Sequence, residues 1–238
     1  MEQKIYNLII LDESGSMQSI KAQAITGLNE TMQTIKSAQG KYENQSHYVT
    51  LVSFNSNKVN IIYDCCPVHH IQELSNKDYQ PSACTPLYDA MGVSLTKLKT
   101  EVKDEDNVLV TIITDGYENA SREYSGKAII QLVEELKAKG WIFAYIGANQ
   151  DVEKVASSIG INNSMRFDAD VDGSRSMFKE ESANREAYYC CISEGMRPRQ
   201  LSEREYFRKN EIVNTQQDSA EKKEEKKKKR WWWFLSKK

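Results

Sequence analysis

The sequence has few of the residues that interrupt regular structure and no arrangement of cysteines that would hold it together. It contains 4 Pro and 11 Gly among 238 residues, too few for a collagen-like or linker-rich chain. Its five cysteines are an odd number without a CxxC pair, which argues against a disulfide framework and favours a reducing cytosol. No apolar run approaches the ~20 residues of a membrane-spanning helix. The N-terminal residues lead directly into an apolar run, so no signal peptide is predicted.

Charge is distributed unevenly along the chain, although the formal net charge is only −2. Residues 221–238 hold nine Lys or Arg against three Glu, a charge of +6, which leaves −8 for the remainder. Three of the four Trp also lie in this basic tail. Such asymmetry between parts of a chain indicates that it interacts with partners.

Hydrophobic periodicity predicts alternating strands and helices. Apolar runs typical of strands occupy residues 5–11, 47–54, 58–65, 107–114, 141–147 and 164–167. Helical patterns begin at residue 18 and at residue 86, and others cover residues 127–139, 151–159 and 174–194. This order predicts an α/β fold with an open, doubly wound, mostly parallel sheet, helices on both faces and one antiparallel edge strand. Gly27, inside the first helix, predicts a close packing contact.

The predicted domain covers residues 1–196, where the apolar periodicity fades. Residues 197–238 form a polar and then basic and aromatic tail, which we expect to be flexible because it has too few apolar residues to bury a core.

Oxygen-bearing side chains follow the predicted strands at the places where an open α/β sheet binds ligands. Asp12, Ser14 and Ser16 come directly after the first strand, Thr85 precedes a helix, and Asp115 follows the strand at residues 107–114. Two carboxylates and three hydroxyls can assemble an octahedral site for Mg²⁺ or Mn²⁺. No His or Cys belongs to this pattern, which disfavours zinc and copper.

Three segments in this order carry a family resemblance: Asp12-Glu-Ser-Gly-Ser-Met, Thr85-Pro-Leu-Tyr-Asp-Ala and Thr114-Asp-Gly-Tyr-Glu-Asn. Together they resemble the metal-ion-dependent adhesion site of the von Willebrand factor A (vWA) family, over about residues 1–196. The chain looks most like the bacterial single-domain type, such as the vWA proteins associated with tellurite resistance.

The resemblance implies a role for each residue of the pattern. Ser14, Ser16 and Thr85 would bind the metal through their hydroxyls, and Asp12 and Asp115 would act largely through water on the metal. Without a direct protein carboxylate the ion stays electrophilic, and its open position suits an Asp or Glu of a protein partner. The implied function is therefore metal-dependent protein binding.

One segment departs from the family pattern. The family usually has glycine close before the threonine, whereas this chain has Ser82-Ala83-Cys84. Glycine would ease movement of the loop, so its absence bears directly on whether Thr85 switches between open and closed states.

Simpler interpretations exist for single residues. Thr85 alone could be a helix N-cap, and Ser14 and Ser16 alone could be turn or cap residues; only their combination predicts a metal site. Four neighbouring polar residues are predicted to shape loops or caps instead of binding metal: Glu13, Asp89, Glu118 and Asn119. The segment Cys65-Cys66-Pro-Val-His69-His70 lacks the spacing of structural zinc sites and is interpreted as a strand end with a surface turn.

The prediction is a cytosolic, non-enzymatic adaptor, and a metal-dependent hydrolase is the alternative at the same oxygen cluster. A haloacid-dehalogenase-like phosphatase would need Asp at position 14, which is Ser14 here. The chain has neither GxGxxG nor a P-loop motif, and none of its three His falls in the three loops.

The basic tail leaves three interpretations open. Lys226–Leu235 combines basic residues with Trp, which suits peripheral contact with an anionic membrane surface, such as the inner face of the membrane, and a scaffold tethered there. It could also be solvated or dock onto a partner. Nucleic acid is the third option, and the acidic domain argues against it.

Overall fold

A computed structural model describes residues 2–148, 151–196 and 206–207. Its centre is a six-stranded sheet in the order β3-β2-β1-β4-β5-β6. All neighbours are parallel except β2 and β3, which form an antiparallel hairpin at one edge. The strands are β1 (Gln3–Asp12), β2 (Gln45–Asn55), β3 (Lys58–Pro67), β4 (Asn107–Thr114), β5 (Ile142–Gly147) and β6 (Ser164–Arg166). The predicted α/β architecture with one antiparallel edge strand is confirmed.

Helices cover both faces of the sheet. They are α1 (Lys21–Lys41), α2 (Leu87–Glu101), α3 (Gly126–Ala138), α4 (Val152–Ser158) and α5 (Val171–Ser193). The core has two layers, one between the sheet and α1 with α5, the other between the sheet and α2, α3 and α4. Strand β1 is buried almost throughout because it contributes alternate side chains to both layers.

Two predicted helix starts need correction. The first helix begins at Lys21 instead of Gln18, because residues Gly15–Ile20 wind as a tighter 3₁₀ turn. The helix α2 begins at Leu87, with Pro86 as its N-cap residue. Thr85 therefore precedes the cap, and the interpretation of this residue as a simple N-cap does not hold.

The close contact predicted at Gly27 is present between α1 and α5. A Cβ atom at this position would lie 2.1 Å from the ring of Phe178, far inside contact distance. Gly27 thus lets the two helices pack with an aromatic ring directly against backbone, which explains a glycine in a helix interior where it costs ~1 kcal/mol.

Part of the predicted tail packs on the domain. Tyr206 is only 7% exposed, and its ring centre lies 6.1 Å from that of Tyr188 on α5. The rest of the predicted tail, residues 197–205 and 208–238, lies outside the described residues. Within the part that the structure describes, no helix is long and apolar enough to cross a membrane.

Candidate metal centre

The end of β1 fixes the first carboxylate of the candidate site. Asp12 is fully buried, and its Oδ1 accepts a hydrogen bond from the Ser14 N–H at 2.8 Å. Its Oδ2 accepts from the Thr114 hydroxyl at 2.7 Å, and the Tyr79 hydroxyl donates to its carbonyl oxygen at 2.6 Å. The Asp12 carboxylate is therefore held toward the end of β4.

The second carboxylate meets the serines of the first loop. Asp115 follows β4, which pairs in parallel with β1, so the two strand ends lie side by side. The Ser16 hydroxyl donates to Asp115 Oδ1 at 2.6 Å, and the Ser14 and Ser16 hydroxyl oxygens are 3.2 Å apart. Residues almost one hundred positions apart thus share one polar cluster at the carboxyl edge of the sheet.

The third loop brings Thr85 to the same place. The Cβ position of Gly116, which carries no side chain, is 3.3 Å from Thr85 Oγ1, 3.9 Å from Ser16 Oγ and 4.0 Å from Asp12 Oδ2. Oxygens of the Asp12 loop and of Thr85 therefore face Gly116 of the Asp115 loop, across a small space that a side chain at position 116 would fill. A set of hard oxygen donors around such a space fits Mg²⁺ or Mn²⁺.

Negative charge accumulates at this cluster without compensation. Burial raises the pKa of Asp12 to about 6, although its hydrogen bonds from Thr114 and Ser14 oppose that shift. Burial also raises the pKa of Asp115, against the hydrogen bond from Ser16. Among the described residues no Lys, Arg or His forms an ion pair with either carboxylate. A divalent cation would supply the positive charge that the protein does not.

Two of the residues predicted to shape loops are bound to backbone. Glu13, although buried, accepts from the Gln80 N–H at 2.6 Å and from the Ser53 hydroxyl at 2.8 Å. Asp89 accepts from three successive backbone N–H groups, at residues 122–124. Both carboxylates therefore tie together loops near the site, as the sequence predicted.

The other two hold the Thr85 loop and the start of α2. Glu118 Oε2 accepts from the Tyr88 N–H at 2.9 Å, in the first turn of α2. Asn119 Oδ1 accepts from the Thr85 N–H at 2.9 Å. Their predicted role in loops and caps is confirmed.

Sequence reasoning missed two supports of Asp12. Tyr79, which is fully buried, lies in an irregular segment without periodicity, and nothing in the sequence indicates its contact with the Asp12 carbonyl. Thr114 belongs to the quoted motif, but its position directly before Asp115 was the only signal for its bond to Asp12.

The Cys-His segment is a strand end and a surface turn, as predicted. Cys65 and Cys66 lie in β3, and His69 and His70 are exposed in a 3₁₀ turn after it. In the described ranges no group of three or more His, Cys, Asp or Glu could hold a metal. The oxygen cluster has only two such residues and depends on hydroxyls for the rest.

A family model matches most of the chain. The von Willebrand factor type A domain model matches residues 8–184, which include all five predicted ligands. No curated protein matches the chain.

Solved structures share the fold at low sequence identity. The PilB minor pilin from Streptococcus sanguinis aligns with a TM-score of 0.55 and 12% identity over 79% of this chain and 63% of that one. A von Willebrand factor type A structure from Catenulispora acidiphila gives 0.54 and 11%, over 76% and 42%. The VWA domain of SpRpn10 gives 0.52 and 9%, over 76% and 95%. The chain spans less than two thirds of the first two proteins.

Proposed function

The chain belongs to the von Willebrand factor type A family, and we propose that it is a non-enzymatic module that binds a protein partner through a Mg²⁺ or Mn²⁺ ion. One observation carries the proposal. Five oxygen-bearing side chains from three loops converge at the carboxyl edge of the sheet, and the two carboxylates among them have no cationic partner in the described residues.

Each residue of the cluster has a distinct part in this function. The hydroxyls of Ser14, Ser16 and Thr85 would hold the ion, and Asp12 and Asp115 would balance its charge. When bound, the ion supplies an electrophilic position for a carboxylate oxygen of the partner. Because Ser16 is exposed at the surface, an acidic side chain can approach the cluster from solvent.

Binding is favoured over hydrolysis by the side chains around the cluster. The imidazoles lie elsewhere: His47 packs against Tyr189 beneath the sheet, and His69 and His70 are in the surface turn. No His in the described part is therefore positioned as a general base beside the oxygens. Turnover of generic phosphoesters with Mn²⁺, absent in an Asp115→Ala variant, would instead support the hydrolase alternative.

Calorimetric titration of the full chain with MnCl₂ tests the metal site. We expect binding by the wild type, none by Asp12→Ala, and unchanged binding by Asp104→Ala, which removes an exposed carboxylate before β4 at the opposite edge of the sheet. Equal Mn²⁺ affinity of Asp12→Ala and wild type would refute the proposed site.

An array of paired peptides tests the partner chemistry. Each pair differs only by Asp or Glu against Asn or Gln. We expect capture of the acidic member in Mg²⁺ and its loss in EDTA. Capture that ignores either the carboxylate or the metal would remove this part of the proposal.

The cytosolic location, the likeness to tellurite-resistance proteins and the membrane contact of Lys226–Leu235 remain predictions from sequence. The last concerns residues outside the described ranges. Flotation with anionic liposomes tests it: we expect the full chain to float, and removal of residues 221–238 to abolish flotation. Equal flotation of both chains would exclude the tail as a tether.

A further inference from the structure

The segment that carries Thr85 is hydrogen-bonded to a neighbouring loop at each of its four residues. The Ser82 N–H donates to the Glu13 carbonyl at 2.8 Å, and the Ala83 carbonyl accepts from the Gly15 N–H at 3.0 Å. These two bonds attach the first half of the segment to the loop that holds the metal-site serines.

The second half is attached by two reciprocal pairs. The Cys84 N–H donates to Ser56 Oγ at 3.2 Å, and its carbonyl accepts from the Ser56 N–H at 3.0 Å. The Thr85 N–H donates to Asn119 Oδ1 at 2.9 Å, and its carbonyl accepts from the Asn119 N–H at 3.1 Å. The peptide groups on both sides of the Thr85 Cα are therefore fixed to the Asp115 loop.

The backbone of this segment is also strained. Ala83 has a φ of 64°, a left-handed conformation that is unfavourable for a residue with a Cβ atom. Such a conformation persists only where the surroundings hold it in place, and here the bonds of residues 82–85 do so. The segment is anchored to three different loops, and both the N–H and the carbonyl of Cys84 and of Thr85 are hydrogen-bonded to them. It is therefore built to stay in one position.

We propose that Asn119 is a positioning residue that holds the Thr85 hydroxyl in its metal-facing place before an ion binds. The centre is then preformed, and Thr85 does not move on metal binding. The inference rests on the proposed function for its link to the metal. The two hydrogen bonds between Asn119 and Thr85, which we call the clamp, do not depend on that function.

A double-mutant cycle in Mn²⁺ affinity tests the link between Asn119 and Thr85. We expect Asn119→Ala to weaken binding roughly 10-fold, as residues that orient metal ligands do. Asn119→Asp keeps an acceptor oxygen for the Thr85 N–H and is expected to bind at least as tightly as wild type. In a Thr85→Ala background, Asn119→Ala should change the affinity less than about twofold, because the hydroxyl that it positions is gone.

Two outcomes of the cycle would overturn the inference. One is an Asn119→Ala affinity equal to wild type. The other is the same 10-fold loss with and without the Thr85 hydroxyl, which would mean a general disturbance of the site. Thermal unfolding in EDTA checks that every variant is folded.

Hydrogen exchange of the metal-free full chain tests the clamp separately. We expect the amides of Ser82, Cys84 and Thr85, which donate the hydrogen bonds of the segment, to exchange slowly in EDTA and to be unchanged by Mg²⁺. The Thr85 amide should exchange faster in Asn119→Ala. Fast exchange that becomes slow only with Mg²⁺ would overturn the preformed site, even if metal binds. A wild type that binds no Mn²⁺ would refute the proposed function, and this measurement would still decide whether Thr85 is clamped.

Discussion

Two groups of buried polar side chains in this fold differ in whether their charges are balanced within the group. At the carboxyl edge of the sheet, Asp12 and Asp115 bring two carboxylates together with no cation beside them among the described residues. On the face of the sheet that α1 and α5 cover, Arg185 of α5 is fully buried together with Glu181. Its Nη2 lies 2.5 Å from Glu181 Oε1. The first group needs a positive charge from outside, whereas the second contains its own.

The second group, which we call the core cluster, is Arg185, Glu181, Asn7, Thr111 and Tyr189. Arg185 donates to Asn7 Oδ1 at 2.9 Å and to Thr111 Oγ1 at 2.8 Å, and the Tyr189 hydroxyl donates to Asn7 Oδ1 at 2.5 Å. It joins α5 to β1, which ends at Asp12, and to β4, which Asp115 follows. A buried polar group that balances its own charge serves structure, and one that does not indicates a ligand.

Removing the cation from the core cluster is the largest test of this difference. Arg185→Met leaves the Glu181 carboxylate buried without a partner, and we expect a loss of about 3–5 kcal/mol in the free energy of unfolding. Urea denaturation in EDTA measures the loss. Added Mg²⁺ should not stabilise Arg185→Met more than it stabilises wild type.

The matched control replaces both charges. Arg185→Met with Glu181→Leu removes the unpaired carboxylate, and we expect most of the lost stability to return. A single variant as stable as wild type would mean that the core cluster does not depend on its internal charge balance.

Acid should weaken the core cluster through His47, whose ring packs edge-on against Tyr189 at 4.5 Å. Burial first, and then the charge of Arg185, lower the pKa of His47 from 6.5 to about 4. As the pH falls, the unfolded chain therefore binds a proton before the folded chain does. The stability that comes from keeping His47 neutral is complete above pH 6.5 and is lost as the pH falls through 4. The shift corresponds to about 3 kcal/mol.

The comparison of wild type with His47→Gln isolates this effect. In EDTA, we expect the difference in unfolding free energy between the two proteins to change by about 3 kcal/mol between pH 7 and pH 4. A difference that stays constant with pH would show that His47 is not kept neutral by its surroundings.

The two groups also differ in how far the sequence predicted them. The ligands at the metal centre stand at strand ends in recognisable loops, so their meeting followed from the order of Asp12, Thr85 and Asp115 and the parallel sheet. Arg185 and Asn7 are 178 positions apart, one in a helix and one inside an apolar strand. No local pattern indicates such a pair, since it depends on how α5 crosses the sheet.

The smallest expected effect concerns the metal centre without metal. The Asp12 pKa is raised from 3.8 to about 6, so the folded state holds a proton that the unfolded state releases. Stability from that proton is present below pH 3.8 and lost as the pH rises through 6. At pH 7 the buried charge costs about 3 kcal/mol. Asp12→Asn removes the charge but weakens the hydrogen bonds from Ser14 and Thr114, so we expect a net gain of about 1–2 kcal/mol in EDTA.

Mg²⁺ should reverse the order of stability of wild type and Asp12→Asn. A ligand that binds only the folded state stabilises it in proportion to the logarithm of its concentration. Wild type should gain stability as Mg²⁺ is raised, and Asp12→Asn should not. Asp104→Asn, which removes an exposed carboxylate far from the cluster, should follow wild type throughout. If Asp12→Asn is instead the less stable protein in EDTA, the carboxylate cluster is compensated from within like the core cluster, and the difference between the two groups disappears.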